Sequence, residues 1–344
     1  MNAQEEGAEA SAVVSRLALS ILAGHALGAG VRWGIADFIA DGTKTSQEVA
    51  EHCRARPDAM RRLLRAWAAF GLLSESEMDR FVLTSAGQLL RTDRERSAAA
   101  VARLFTDPVI TDAWRHLDDG IRTGRPVFDR VFGSDFFSYI EQQPDVSDMF
   151  HAAMGQGTGR VAAEVARRYD ASRFGHAIDI GGGDGTLLAA LLGENPGMRG
   201  TVFDASNGAV SASKVLRHND FADRSAVVTG DFLQAVPTGG DLYLMKSVLH
   251  DWDDDRCEVI LSRVRDAIDD DGRLLIIEPI LPDVVDGTVP PFTYLGDLNM
   301  LVNIGGRERT RADFEELCRR GRFVVADVSG GYPLGFSLIE AVPV

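Results

Sequence analysis

Cysteine is scarce in this chain: Cys53, Cys257 and Cys318 are the only three among 344 residues. An odd number so widely separated excludes a disulfide framework or a cysteine zinc site and fits a reducing compartment such as the cytoplasm. Lysine is nearly absent too, present only as Lys44, Lys214 and Lys246. No basic excess exists, since 36 Lys and Arg stand against 51 Asp and Glu, a formal charge of −15. A surface that tracks phosphates needs such an excess, so nucleic acid is excluded as a general partner. Long apolar runs are also missing. The longest uncharged stretch, between Arg16 and Arg32, is broken by glycines and reads as too short to span a bilayer, so no membrane is expected. Glu5, Glu6 and Glu9 give the first residues the wrong charge for a signal peptide. No H-E-x-x-H, EF-hand loop or similar spacing occurs, and no metal is expected. What remains is an ordinary globular composition, 45% hydrophobic and 25% charged, in a chain long enough for two domains.

The most informative stretch is Ala177-Ile178-Asp179-Ile180-Gly181-Gly182-Gly183-Asp184-Gly185-Thr186-Leu187. It reads as an apolar strand ending in an acid, Asp179, then a glycine turn and a helix start. The spacing is G-x-G-x-G, not the G-x-G-x-x-G of dinucleotide sites, which disfavours a nicotinamide oxidoreductase and suits a nucleoside without a pyrophosphate. Further apolar runs follow. Thr201-Val202-Phe203 ends at Asp204, 21 residues beyond Gly183, where an acid can accept hydrogen bonds from two ribose hydroxyls. Ala226 to Thr229 leads into Gly230-Asp231-Phe232, an acid for an adenine amino group and an aromatic to cover the ring. Leu242 to Met245 ends at Lys246-Ser247, and Leu274 to Ile277 ends at Glu278. Ligands of open α/β sheets bind at the carboxyl ends of the strands, so this series of polar strand ends predicts one site in a doubly wound α/β domain.

Upstream, residues 12–40 read as apolar helices. Thr45 to Glu48 reads as a capped helix start, and a helix from Asp58 to Gly71 buries Met60, Leu63, Leu64, Trp67 and Phe70 on one face. Leu72-Leu73 and Phe81-Val82-Leu83 form a short β-wing, giving a winged-helix-like unit over residues 1–105. That unit holds 13 acids and 13 bases, so scaffolding or dimerisation is favoured over DNA binding. Residues 106–172 form a helical bridge rich in aromatics, Trp114, Phe128, Phe132, Phe136, Phe137, Tyr139 and Phe150 among them. Most belong to the core, and some suit a pocket for a flat organic substrate. The α/β domain occupies 173–344 and ends in an antiparallel pair, Phe323 to Val328 and Phe336 to Ala341.

His250, in Leu249-His250-Asp251-Trp252 just past Lys246, stands at the ligand end of the sheet. Imidazole is suited to removing a proton from a phenol, which is otherwise protonated at neutral pH. A nearby carboxylate would fix its tautomer, and Glu278 and Glu308 are the candidates. Asp251 is less favoured, because neighbours on a turn often point apart. The run Asp251, Asp253, Asp254 and Asp255 reads as helix-start charge.

Together these ordered motifs resemble the S-adenosylmethionine-dependent O-methyltransferases of plant phenolics and bacterial natural products. The resemblance spans nearly the whole chain: winged-helix dimerisation region, aromatic bridge, Asp179 to Gly185, Gly230-Asp231-Phe232, Leu249 to Trp252, and Gly306-Arg307-Glu308-Arg309-Thr310. It implies a Rossmann-like methyltransferase domain behind a mostly helical dimerisation domain, and a cytoplasmic homodimer. Asp179, Gly181, Gly183, Asp204, Asp231, Phe232, Lys246 and Ser247 would hold S-adenosylmethionine. His250 would act as base with Glu278, Glu308 and Asp251. Phe150, Met154, Asn299, Met300 and Asn303 would face a small aromatic acceptor. The implied reaction is methylation of a phenolic or enolic hydroxyl, leaving S-adenosylhomocysteine. Two other readings stay open: a tailoring hydroxylase or decarboxylase using the same cofactor, and a winged-helix ligand-sensing regulator.

Overall fold

The computed structural model describes residues 3–94 and 96–344. The chain divides into two compact units, one ending at Thr111 and one beginning at Asp112.

The first unit is mostly helical, with helices Ala3–Arg32, Ile35–Ile39, Ser46–His52 and Pro57–Ala69. Two short antiparallel strands, β1 (Leu73–Glu77) and β2 (Arg80–Leu83), make the wing. Thr45 and Glu48 form a reciprocal capping box, as their spacing predicts. The following helix begins at Pro57 rather than Asp58, since proline is pre-organised for a first helical position. Leu64, Trp67, Ile35 and Phe81 are fully buried at its centre, and the Trp67 indole N–H donates to the carbonyl of Ala26 at 3.0 Å.

The glycines do not interrupt the first helix. It runs unbroken for 30 residues, and Glu9–Arg32 is long and apolar enough to cross a membrane by length and composition, which corrects the sequence reading. Its apolar side chains lie open: Val14, Leu17, Ile21 and Leu22 are 60–69% exposed.

The second unit is built on one large sheet. Its strands are β3 (His176–Ile180), β4 (Arg199–Asp204), β5 (Ser225–Thr229), β6 (Leu242–Lys246), β7 (Arg273–Leu281), β8 (Arg309–Thr310), β9 (Phe323–Ser329) and β10 (Phe336–Pro343). The order is β5-β4-β3-β6-β7-β10-β9, with β8 added to the end of β7. The first five are parallel, and β10 runs antiparallel between β7 and β9. Side chains alternate between two cores. Ala177, Leu242, Leu244, Leu275 and Ile277 pack toward helices Pro144–Arg168 and Thr186–Glu194. Ile178, Tyr243, Met245, Leu274 and Ile276 pack toward helices Asp254–Ala267 and Arg311–Arg320. This period-2 division is what a strand buried on both faces requires. The chain reverses its winding between β3 and β6, the topological switch point where α/β sheets bind ligands.

Candidate active site

The histidine turn is set by its own backbone. After β6, Ser247 adopts φ +54°, uncommon for a residue with a Cβ, and the chain leaves the sheet in a 3₁₀ turn, Leu249–Asp251. The N–H groups of Val248, Leu249 and His250 then converge on Glu278 Oε1, at 3.0, 3.0 and 3.4 Å. Glu278, in β7, is completely buried, so it serves as the anchor of the turn. Its other oxygen lies 3.6 Å from His250 Nδ1. Glu308 Oε1 reaches the same nitrogen at 3.0 Å. Asp251 Oδ1 stands 3.5 Å from Nε2, so the neighbours do not point apart; the tight 3₁₀ turn brings carboxylate and ring together.

The loop bearing Glu308 presses on that turn. A Cβ on Gly306 would collide with the carbonyl oxygen of His250 and the backbone of Asp251, so the glycine is demanded by space. Arg309, which the sequence offered only as part of the Gly306 to Thr310 motif, is fully buried beside the turn. Asp253 does cap the next helix, accepting from the Arg256 N–H at 2.8 Å. Asp254 instead pairs with Arg307 and Arg309.

Charge is concentrated here. Burial pulls the His250 pKa down, but Glu278, Glu308 and Asp251 outweigh it and push it up to about 10. Burial raises Asp251 to about 7 against the pull of His250, and burial likewise raises Glu278. Lys246 is driven down by burial, opposed by Glu278 and Asp179. One atom each from His250, Glu278 and Glu308 lies within 4.8 Å of the others, a spacing that could hold a metal. However, Glu278 Oε1 is committed to three N–H groups, and both glutamates converge on one imidazole nitrogen. A proton on Nδ1 joins the ring to Glu308 Oε1, while Glu278 Oε2 and Glu308 Oε2 stay buried without a hydrogen-bond partner.

The glycine turn lies next to the histidine turn. Gly181, Gly183 and Gly185 all have positive φ, and a Cβ on Gly181 would strike Val248. Around Gly183 the space is open. Asp204 Oδ2 accepts from the Gly183 N–H at 2.7 Å, and Oδ1 from the Ala205 N–H at 2.7 Å, leaving each oxygen one further lone pair for a ligand. Asp179 is not the last residue of β3; Ile180 follows it in the strand. The Asp179 side chain is buried, with Oδ2 lacking a hydrogen-bond partner, and burial followed by the Asp204 charge raises its pKa to about 8. Asp231 is exposed and accepts from Leu233 N–H and Gln234 Nε2. Phe232 is half-buried, edge-on to Trp252 at 6.0 Å. Lys246 Nζ donates to Ser247 Oγ at 3.0 Å. A turn that is glycine at four of five positions, an orphaned buried carboxylate oxygen and a half-buried aromatic ring fit a cationic nucleoside.

Asn299 and Asn303 come together on a feature that hydrophobic periodicity cannot reveal, a π-helical turn over Met300–Ile304, a rare geometry found mostly at functional sites. The Trp114 indole, a donor only, gives its N–H to Asn299 Oδ1 at 2.9 Å. Asn303 Nδ2 donates to the same oxygen at 2.9 Å, which leaves Asn303 Oδ1 buried and unpaired. Met300 is buried beside them. On helix Pro144–Arg168, Phe150 packs edge-on against Phe136 at 5.6 Å, and Met154 is 36% exposed. The same helix touches the glycine turn, because a Cβ on Gly155 would meet the Asp184 carboxylate.

Sheet, switch point and glycine turn define a nucleoside-cofactor enzyme of the α/β class. Comparison with known proteins sharpens this. Residues 114–324 match the model of the O-methyltransferase domain, and residues 15–93 that of the O-methyltransferase dimerisation domain. The O-demethylpuromycin-O-methyltransferase of Streptomyces alboniger is 45% identical over 316 residues, 91% of this chain and 84% of that protein. Among solved structures, the mitomycin 7-O-methyltransferase MmcR superposes with a TM-score of 0.92 at 31% identity, covering 99% of this chain and 100% of that one. An O-methyltransferase from neocarzinostatin biosynthesis, holding S-adenosyl-L-homocysteine and 1,4-dihydroxy-2-naphthoic acid, matches at 31% identity and a TM-score of 0.78, covering 94% of this chain and 96% of that one. The chain belongs to this O-methyltransferase family. It is an enzyme that uses S-adenosylmethionine.

Proposed function

We propose that the enzyme methylates a phenolic or enolic hydroxyl of an aromatic secondary metabolite, with His250 as the general base. The observation that carries this is the imidazole gripped at Nδ1 by Glu308 at 3.0 Å, which leaves Nε2 to receive a proton. Glu278 holds the turn in place, and Asp251 beside Nε2 stabilises the imidazolium that forms. S-adenosylmethionine supplies a methyl group already activated by its positive charge. The protein's remaining task is alignment, a factor that reaches about 7–11 kcal/mol in well-oriented reactions.

In this reading Gly181, Gly183 and Asp179 pack around the methionine end of the cofactor and Asp204 binds the ribose. Asp231 and Phe232 hold the adenine, and Lys246 and Ser247 complete the cofactor site. Phe150, Met154, Asn299, Met300 and Asn303 shape the acceptor pocket, and Asn303 Oδ1 offers it a hydrogen-bond acceptor. No metal takes part, so chelators leave turnover unchanged. Residues 1–105 dimerise two copies in the cytoplasm, 106–172 contribute to the pocket and 173–344 carry the cofactor. A second copy explains the open apolar face of the first helix without a membrane.

The test is His250→Asn with a phenolic acceptor that the wild type turns over. Base catalysis contributes about 10²–10⁴-fold, so kcat falls by that factor while cofactor affinity persists. Formation of S-adenosylhomocysteine one-for-one with methylated product is the companion measurement. Hydroxylated or decarboxylated product without it would establish the tailoring alternative instead.

A further inference from the structure

Arg309 is fully buried, yet it faces a single carboxylate. Its Nη2 and Nε lie 2.7 and 3.1 Å from Asp254 Oδ1. The remaining donors go to backbone: Nη1 to the Leu249 carbonyl at 2.7 Å, and Nη2 to the Trp252 carbonyl at 2.8 Å. Those carbonyls bracket His250 and Asp251. Nη2 also lies 3.4 Å from the Cys257 sulfur.

Burying a guanidinium is expensive, and a well-packed apolar side chain is often the more stable choice. A planar fork of fixed donors, however, can hold two carbonyls in one defined relation, which no apolar group and no lysine can do. The backbone of Arg309 is itself tied to β7, where Arg309 pairs with Ile280, two residues beyond Glu278. Its chain neighbour Glu308 holds the imidazole. The arginine therefore closes a triangle of β7, the Glu308 loop and the histidine turn.

We infer that Arg309 is a positioning residue for methyl transfer: its fork fixes the histidine turn against the Glu308 loop and so maintains the hydrogen bond from His250 Nδ1 to Glu308. This rests on the reading of His250 as the base. The Arg309 donors go to Asp254 and to the backbone of the histidine turn, so its loss acts on kcat and on the imidazole, not on cofactor binding.

The experiment compares R309M, R309K and D254N with wild type and H250N. It reads kcat and KM for a phenolic acceptor, the Kd for S-adenosylmethionine by calorimetry, and the ¹⁵N signals of His250 in labelled protein. For R309M we expect kcat lower by about 10²-fold, the cost of a misplaced catalytic group. Cofactor Kd stays near wild type, and the imidazole signals shift from one defined tautomer to an exchanging mixture. R309K and D254N fold with smaller losses of the same kind and carry the test if R309M does not fold. Wild-type kcat and unchanged imidazole signals in R309M, or in both R309K and D254N, overturn the proposal. H250N turning over at the wild-type rate overturns the base assignment beneath it, which separates the two failures.

Discussion

His250 stands among three carboxylates, with Lys246 nearby, so its charge state bears on stability and, in the proposed base role, on rate. A histidine whose folded pKa is raised to about 10 stabilises the fold fully below its unfolded value near 6.5 and loses that contribution as pH climbs toward 10. Asp179, raised to about 8, is protonated in the folded state where the unfolded chain has ionised. Stability therefore also falls as pH rises from about 3.9 toward 8. The cofactor-free melting temperature should decline across this range. Asp179→Asn should flatten the lower part and His250→Asn the upper part, as scanning fluorimetry over a pH series would show. A base must be neutral when it acts, and in the loaded site a second positive charge opposes the imidazolium. The rising limb of kcat, which reports the loaded enzyme, should thus lie at lower pH than that of kcat/KM, which reports the free enzyme. Coincident limbs would contradict this. At this scale the sequence was only partly readable. Glu278 closed an apolar run and Glu308 lay inside a motif, so both could be named, although Glu278 sits within β7 and not at its end. Trp114 meets Asn299 across 185 residues, and Arg309 meets Leu249 across 60; no local pattern marks such pairs.

Among the elements, the strands were the most legible, because burial writes continuous apolar runs, although β3 and β7 continue past Asp179 and Glu278. The turns between them were not. The π-turn at Met300–Ile304 adjoins the long-range Trp114 to Asn299 hydrogen bond, and the 3₁₀ turn at His250 is held by Glu278 from another strand. Gly306 illustrates how closely two loops must meet. Its replacement by alanine should push the Glu308 loop off the histidine turn, lowering kcat by roughly 10²-fold and the melting temperature by several degrees, with cofactor affinity retained. A variant with wild-type kcat would show that the loops separate without consequence.

For the whole molecule, the helix Ala3–Arg32 leaves more apolar surface open than a lone soluble chain usually keeps. Paired charges at its centre, Leu17→Glu with Ile21→Glu, should convert a dimer to a monomer in light scattering after gel filtration. A wild-type monomer would remove the basis for the pairing. The sheet carries a different consequence. β7, the strand of Glu278, is flanked by β10, with Ser337 paired to Glu278 itself. During synthesis, at about 5–20 residues per second, that edge stays bare until residues 336–343 leave the ribosome. The strand that anchors the histidine turn is thus flanked on both sides only once residues 336–343 are available. Ribosome-bound chains halted before Phe336 should be sensitive to protease in this unit and inactive, however intact their glycine turn.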